Sequence, residues 1–195
     1  MSERTLRLTG DEAADERLST DPFALLIGML LDQQVPMEKA FHSPYDLKER
    51  LGGRLDPAEI ADYDPEDLAR IFARPPALHR FPGSMAARTQ LLARALVDGY
   101  GESAAAVWET AATGQELHGR LRALPGFGDQ KARIFLALLA KRLGVQPPGW
   151  QEAAGPYGAD GFTSVADIDS PESLAKVREH KRAKKAAAKA GQPEG

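Results

Sequence analysis

Residues 124 to 131, LPGFGDQK, bring together groups that could hold a phosphate. In Leu124-Pro125-Gly126-Phe127-Gly128 the two glycines permit a tight turn and leave successive backbone N–H groups near the start of the following helix. Leu124 and Phe127 can pin the turn to its flanking helices, and Lys131 adds a cation to the same edge. Such contacts position a nucleic-acid duplex without reading its sequence. A bare PGFG turn also serves simply to reverse the chain between two helices. The apolar stretch before it and the Ala-rich stretch after it favour the phosphate clamp.

Other side chains could serve a pocket. Trp150 and Tyr157 lie in a glycine-rich passage and could stack on an extrahelical base, whereas Phe81 and Trp108 read more simply as core aromatics. His79 and Arg80, within PPALHRFPG, could approach a backbone or a pocket, and a surface position is the plainer expectation for the histidine. The four histidines show no pair at metal-ligand spacing, so no metal site is expected. The chain has no cysteine, which excludes disulfides, thiolate nucleophiles, zinc-thiolate sites and cysteine-ligated iron-sulfur clusters.

The formal charge is −3, but it is unevenly spread. Residues 176 to 189, KVREHKRAKKAAAK, carry a local +6 and leave −9 for the remainder. A concentrated basic helix of this kind either contacts phosphates or is a solvated tail. No apolar signal core opens the chain, and no apolar stretch approaches the roughly 18 residues of a membrane span, so a cytoplasmic protein without a membrane partner is expected.

The elements that must position these groups read as helices. Asp21-Pro22, Asp56-Pro57, Asp64-Pro65 and Ser170-Pro171 each supply a capping oxygen followed by a residue with φ already fixed. Residues 22 to 32, PFALLIGMLLD, predict a buried core helix, with Pro36 ending it or starting the next. Residues 86 to 98 predict an amphipathic helix with Leu91, Leu92, Ala95 and Leu96 on one side. Shorter helices are expected at 57 to 62, 65 to 73, 103 to 112 and 115 to 122, loops at 74 to 84 and 146 to 161, and a closing helix that frays at its end. No sustained strand alternation is present.

LPGFGDQKARIFLALL resembles the hairpin of the helix-hairpin-helix DNA glycosylase superfamily, the group of endonuclease III and 3-methyladenine DNA glycosylase II. PFALLIGMLLDQQV resembles the early barrel helix of those enzymes, and Gln33-Gln34-Val35 is closest to the 3-methyladenine type. PGSMAARTQLLARAL is a weaker match to the helix leading toward the hairpin. The resemblance covers roughly residues 22 to 143. It implies an all-α, two-lobed fold with DNA across a central cleft. Residues 22–143 would form the barrel lobe with the helix-hairpin-helix at 115–143, and residues 1–21 with 144–195 the second lobe, loop and basic C-terminal helix.

The resemblance also implies DNA contacts by Leu124, Gly126, Phe127, Gly128 and Lys131, and base probing by Gln33 and Gln34. Members with lyase activity place a lysine in the seventh position of the LPGxGxK string, where it forms a Schiff base. That position is Gln130 here, and Lys131 stands about 100° further around the helix, so lyase chemistry is disfavoured. Members that hydrolyse with water keep an aspartate, whose usual place falls near Pro148, where no acid stands. Glu152 and Asp167 are the alternative catalytic candidates, and Asp169 is more simply a turn or cap residue. The expectation is a base-excision repair enzyme without a cofactor, a monofunctional N-glycosylase that flips a damaged base from double-stranded DNA and hydrolyses its bond. The alternative is a non-catalytic lesion or structure binder of the same fold. A helical interaction protein without a DNA role is the third reading.

Overall fold

A computed structural model describes residues 5–191, and among them every regular element is helical. The first and last four residues, placed at the edges of the expected second lobe, lie outside the described residues. Eleven α-helices follow in order: α1 (Glu12–Thr20), α2 (Pro22–Leu31), α3 (Met37–Arg50), α4 (Pro57–Asp62), α5 (Pro65–Ala73), α6 (Pro82–Tyr100), α7 (Ala106–Glu109), α8 (Gly114–Ala123), α9 (Asp129–Leu143), α10 (Trp150–Ala154) and α11 (Pro171–Ala190). Two 3₁₀ turns, Gly155–Gly158 and Val165–Asp167, lie between α10 and α11.

All four polar-Pro pairs cap helices. Asp21 accepts from the N–H groups of Phe23 and Ala24, Asp56 from Glu59, Asp64 from Glu66 and Asp67, and Ser170 from Ser173. Each oxygen satisfies a donor that the first helical turn leaves without a partner. Helix α2 is buried from Phe23 to Leu31, as its apolar run requires, and packs against α3. Pro36 stands at the N-cap of α3.

Helix α6 is longer than its sequence pattern indicates, and Leu91 is 56% exposed. Its buried side is Met85, Thr89, Leu92 and Leu96, because adjacent leucines lie about 100° apart and only one of each pair can face α4 and α5. The passage 146 to 161 is likewise not a plain loop. It folds into α10 and a 3₁₀ turn, and the start of α8 admits it closely because a Cβ at Gly114 would lie 2.5 Å from Trp150 Cα.

One contiguous apolar core runs from Leu6 and Leu8 through α2, α6 and α9 to Val165, Ile168 and Val177. Leu6 and Leu8 before α1 and Val177 in the first half of α11 thus join one core. The candidate site lies where Asp32, just after α2, residues of α9 and residues of α11 line one pocket.

Candidate functional site

The hairpin forms between α8 and α9. Gly126 adopts φ +83°, and a Cβ there would come 2.2 Å from Leu30 Cδ1, so glycine lets the turn seat directly on the end of α2. Leu124 and Phe127 are buried, and the Phe127 ring meets Phe135 edge-on at 6.0 Å between centroids. Gly128 is different: it has open space around it and caps α9 without a side chain. The backbone N–H groups of Gly128, Asp129, Gln130 and Lys131 have no hydrogen-bond partner among the described residues. A fifteen-residue helix thus presents an uncapped, positively polarised end. The Asp129 carboxylate beside it is held by Arg133 at 2.9 Å and lies 3.0 Å from His118, and the Arg133 hydrogen bond depresses its pKa.

Lys131 turns inward. Its Nζ donates to the Leu30 carbonyl oxygen at 3.1 Å. Burial lowers its pKa to about 8, against the attraction of Asp32, which favours the charged form. Asp32, immediately after α2, is half-buried; its backbone N–H donates to the Met29 carbonyl at 3.2 Å, while its carboxylate has no hydrogen bond or ion pair among the described residues. Burial raises its carboxyl above the ordinary aspartate value, and Lys181 and Lys131 pull it back. A carboxylate and an amine, each displaced toward its neutral form, share one electrostatic environment.

Asp32 opens into a pocket of about 340 Å³. Gln130 and Ile134 of α9, Tyr157, Thr163 to Val165, and Lys181, Lys184 and Lys185 of α11 line it. Gln130 Nε2 donates to the Tyr157 hydroxyl at 2.9 Å, which fixes an amide and an aromatic ring on the same wall. A second concavity on the other side of Lys181 also reaches Asp32, so α11 crosses directly over this carboxylate.

Gln33 and Gln34 follow Asp32. Gln33 Nε2 approaches the Leu30 carbonyl and the Met85 sulfur, both at 3.4 Å. Gln34 is exposed at φ +56°, a left-handed conformation that non-glycine residues adopt at a cost of about 1–2 kcal/mol. His79 helps hold it there. Its Nε2 lies 3.2 Å from the Leu31 carbonyl and 2.9 Å from that of Gln33, while its Nδ1 accepts from Phe81 N–H at 3.0 Å. Those partners require a neutral ring protonated on Nε2. His79 is 1% exposed, not the surface residue that its Pro-rich setting indicates.

The expected acids fall elsewhere. Asp167 is buried, accepts from the N–H groups of Thr163 and Ser164 at 2.8 and 3.2 Å, and pairs with Lys141 Nζ at 2.6 Å. Its oxygens close a 3₁₀ turn rather than face the pocket. Glu152 is exposed on α10 and does not line the pocket, and Asp169 is tied to Ser173 and Arg142. Of the two aromatic candidates, Tyr157 reaches the pocket and Trp150 packs against α8. Asp32 had no distinguishing mark beyond an acid ending an otherwise apolar helix.

Comparison of the chain with protein-family models, with curated proteins and with solved structures finds no match. Among the described residues no group of three or more His, Asp or Glu side chains is arranged to hold a metal ion, and no helix is long and apolar enough to cross a membrane.

Proposed function

We propose that this chain acts on double-stranded DNA as a monofunctional N-glycosylase of two-lobed, helix-hairpin-helix type, with Asp32 as its catalytic carboxylate. The observation that carries the reading is the placement of Asp32. It lies between the hairpin lysine and the exposed Gln34, in a pocket that adjoins the uncapped end of α9.

In this reading a backbone phosphate meets the N–H groups of residues 128 to 131. Gln34 enters the space left by a damaged nucleotide, and the extruded base is received by Tyr157 and Gln130. Asp32 stabilises positive charge developing on the sugar and accepts the proton of the attacking water as the C1′–N bond breaks. Its raised pKa moves its basicity toward the working pH. Lys131 stays an internal cation, because Gln130 rather than Lys131 lines the pocket wall.

The test is incubation of the purified chain with duplexes carrying uracil, alkylated or deaminated bases, followed by alkali. Strand cleavage at one lesion, reduced about 10²–10⁴-fold in Asp32→Asn, is the expected result. A protein that binds these duplexes and leaves all of them intact is instead the non-catalytic lesion binder. That second reading is favoured by one observation: neither Glu152 nor Asp167 faces the pocket, so hydrolysis rests on Asp32 alone.

A further inference from the structure

The face of α11 that meets the body changes character halfway along its length. Val177 is fully buried and Leu174 partly so, and together they anchor the first half. Arg178 pairs with Glu38 of α3, and Lys176 sits 4.5 Å over the Phe162 ring. Steps of three and four residues carry the same stripe on to Lys181, Lys184, Lys185 and Ala188. These are the side chains that, with His180, line the pocket opposite Asp32.

A helix that served only to dock would continue its apolar stripe here. Instead every residue from Lys181 to Ala190 is exposed. The side chains of Lys181, Arg182, Lys184, Lys185 and Lys189 have neither a hydrogen bond nor an ion pair among the described residues. Lysine and alanine are good helix formers, so the segment holds its shape without burying anything. The chain thus keeps a row of cations without ion-pair partners along one rim of its candidate site, Lys181 nearest the Asp32 carboxylate, on a body that is otherwise anionic.

We propose that Lys181, Lys184 and Lys185 form a phosphate-binding wall that grips the DNA strand on either side of the nucleotide held in the Asp32 pocket. This rests on the reading of the chain as a DNA-acting protein and adds a second strand contact, separate from the hairpin. Cations spaced along a helix at successive turns match a run of phosphodiesters better than a single phosphate group. Their contribution to binding is release of condensed counterions, which salt concentration reports directly.

The experiment is a salt series of equilibrium binding to a lesion-bearing duplex, comparing the full chain with K181Q/K184Q/K185Q and with Gly128→Arg. All four substituted positions are open to solvent, so the fold is retained, and circular dichroism verifies it. The triple variant is expected to bind at least about tenfold more weakly, with a salt slope smaller by about 0.9 for each phosphate that is no longer neutralised. An unchanged affinity and slope in the triple variant, with binding abolished by Gly128→Arg, overturns the wall and leaves the DNA reading standing. Absence of duplex binding by the unaltered chain overturns both. Lysine-dependent binding of a deoxynucleoside monophosphate without duplex binding also overturns both, in favour of a small-ligand site.

Discussion

The ammonium group of Lys131 is hydrogen-bonded to the carbonyl oxygen of Leu30, at 3.1 Å and 101 positions away in sequence. This bond fastens the hairpin helix to the end of α2, beside Asp32. It also places a charge where burial disfavours one. Lys131 has a folded pKa of about 8 against an ordinary 10.5, so its stabilising contribution is full above pH 10.5 and is lost as pH falls through 8. Lys131→Met, which keeps the stem and removes the charge, is expected to raise stability at pH 7 by about 1–3 kcal/mol, the loss of a partner for Asp32 limiting the gain. Denaturant midpoints at several pH values check this: the variant's advantage should shrink between pH 8 and 10.5.

The two hairpin glycines should separate folding from binding. Gly126→Ala meets both a positive φ and the buried Leu30 side chain, and a loss of about 1–3 kcal/mol is expected. Gly128→Ala meets neither and should leave the melting temperature unchanged while weakening duplex binding, since its methyl group stands beside the free N–H groups. Equal destabilisation by both substitutions would contradict the distinction.

Three carboxylates stand at different levels of the structure. Asp167→Asn breaks a buried pair with Lys141 and should cost about 3–5 kcal/mol, with any remaining folded protein still active. Asp32→Asn should fold at least as stably as the parent and reduce lesion cleavage by about 10²–10⁴-fold. Glu152→Gln should change neither property, because its side chain is solvated. Thermal melts and lesion cleavage measured on the same preparations distinguish the three.

His79 carries an acid-side dependence. Burial lowers its pKa below the ordinary 6.5, so its contribution is complete above that pH and is lost as pH falls through the lower folded value. Protonated Nδ1 can no longer accept from Phe81 N–H. His79→Gln should be less stable than the parent by about 1–3 kcal/mol at pH 7.5, with a smaller gap at pH 5. A gap of constant size would show that the ring's protonation plays no part.

Much of the helical frame was legible because its signals are local. An Asp or Ser before proline specifies both a cap and a first turn, and all four such pairs cap helices. The turn at PGFG was legible for the same reason. Asp32 was not, since its significance depends on Lys131 and Lys181 arriving from distant helices. His79 was not legible either: its neighbours in sequence are prolines, while its partners are carbonyls at the end of α2 and just beyond it. Leu91 fell on the wrong side of α6 because adjacent leucines leave the phase of a helix open.

Helix α2 is buried from Phe23 to Leu31; Lys131 holds its Leu30 carbonyl, and His79 holds the Gln33 carbonyl just beyond it. The segment bearing Asp32 and Gln34 therefore behaves as a fixed anvil. On the proposed DNA reading, distortion on binding would be borne by the nucleic acid, so targets whose base pairs are already loosened should be taken up more readily than well-stacked ones. Discrimination would then begin with how easily a site deforms, before any group on the base is read.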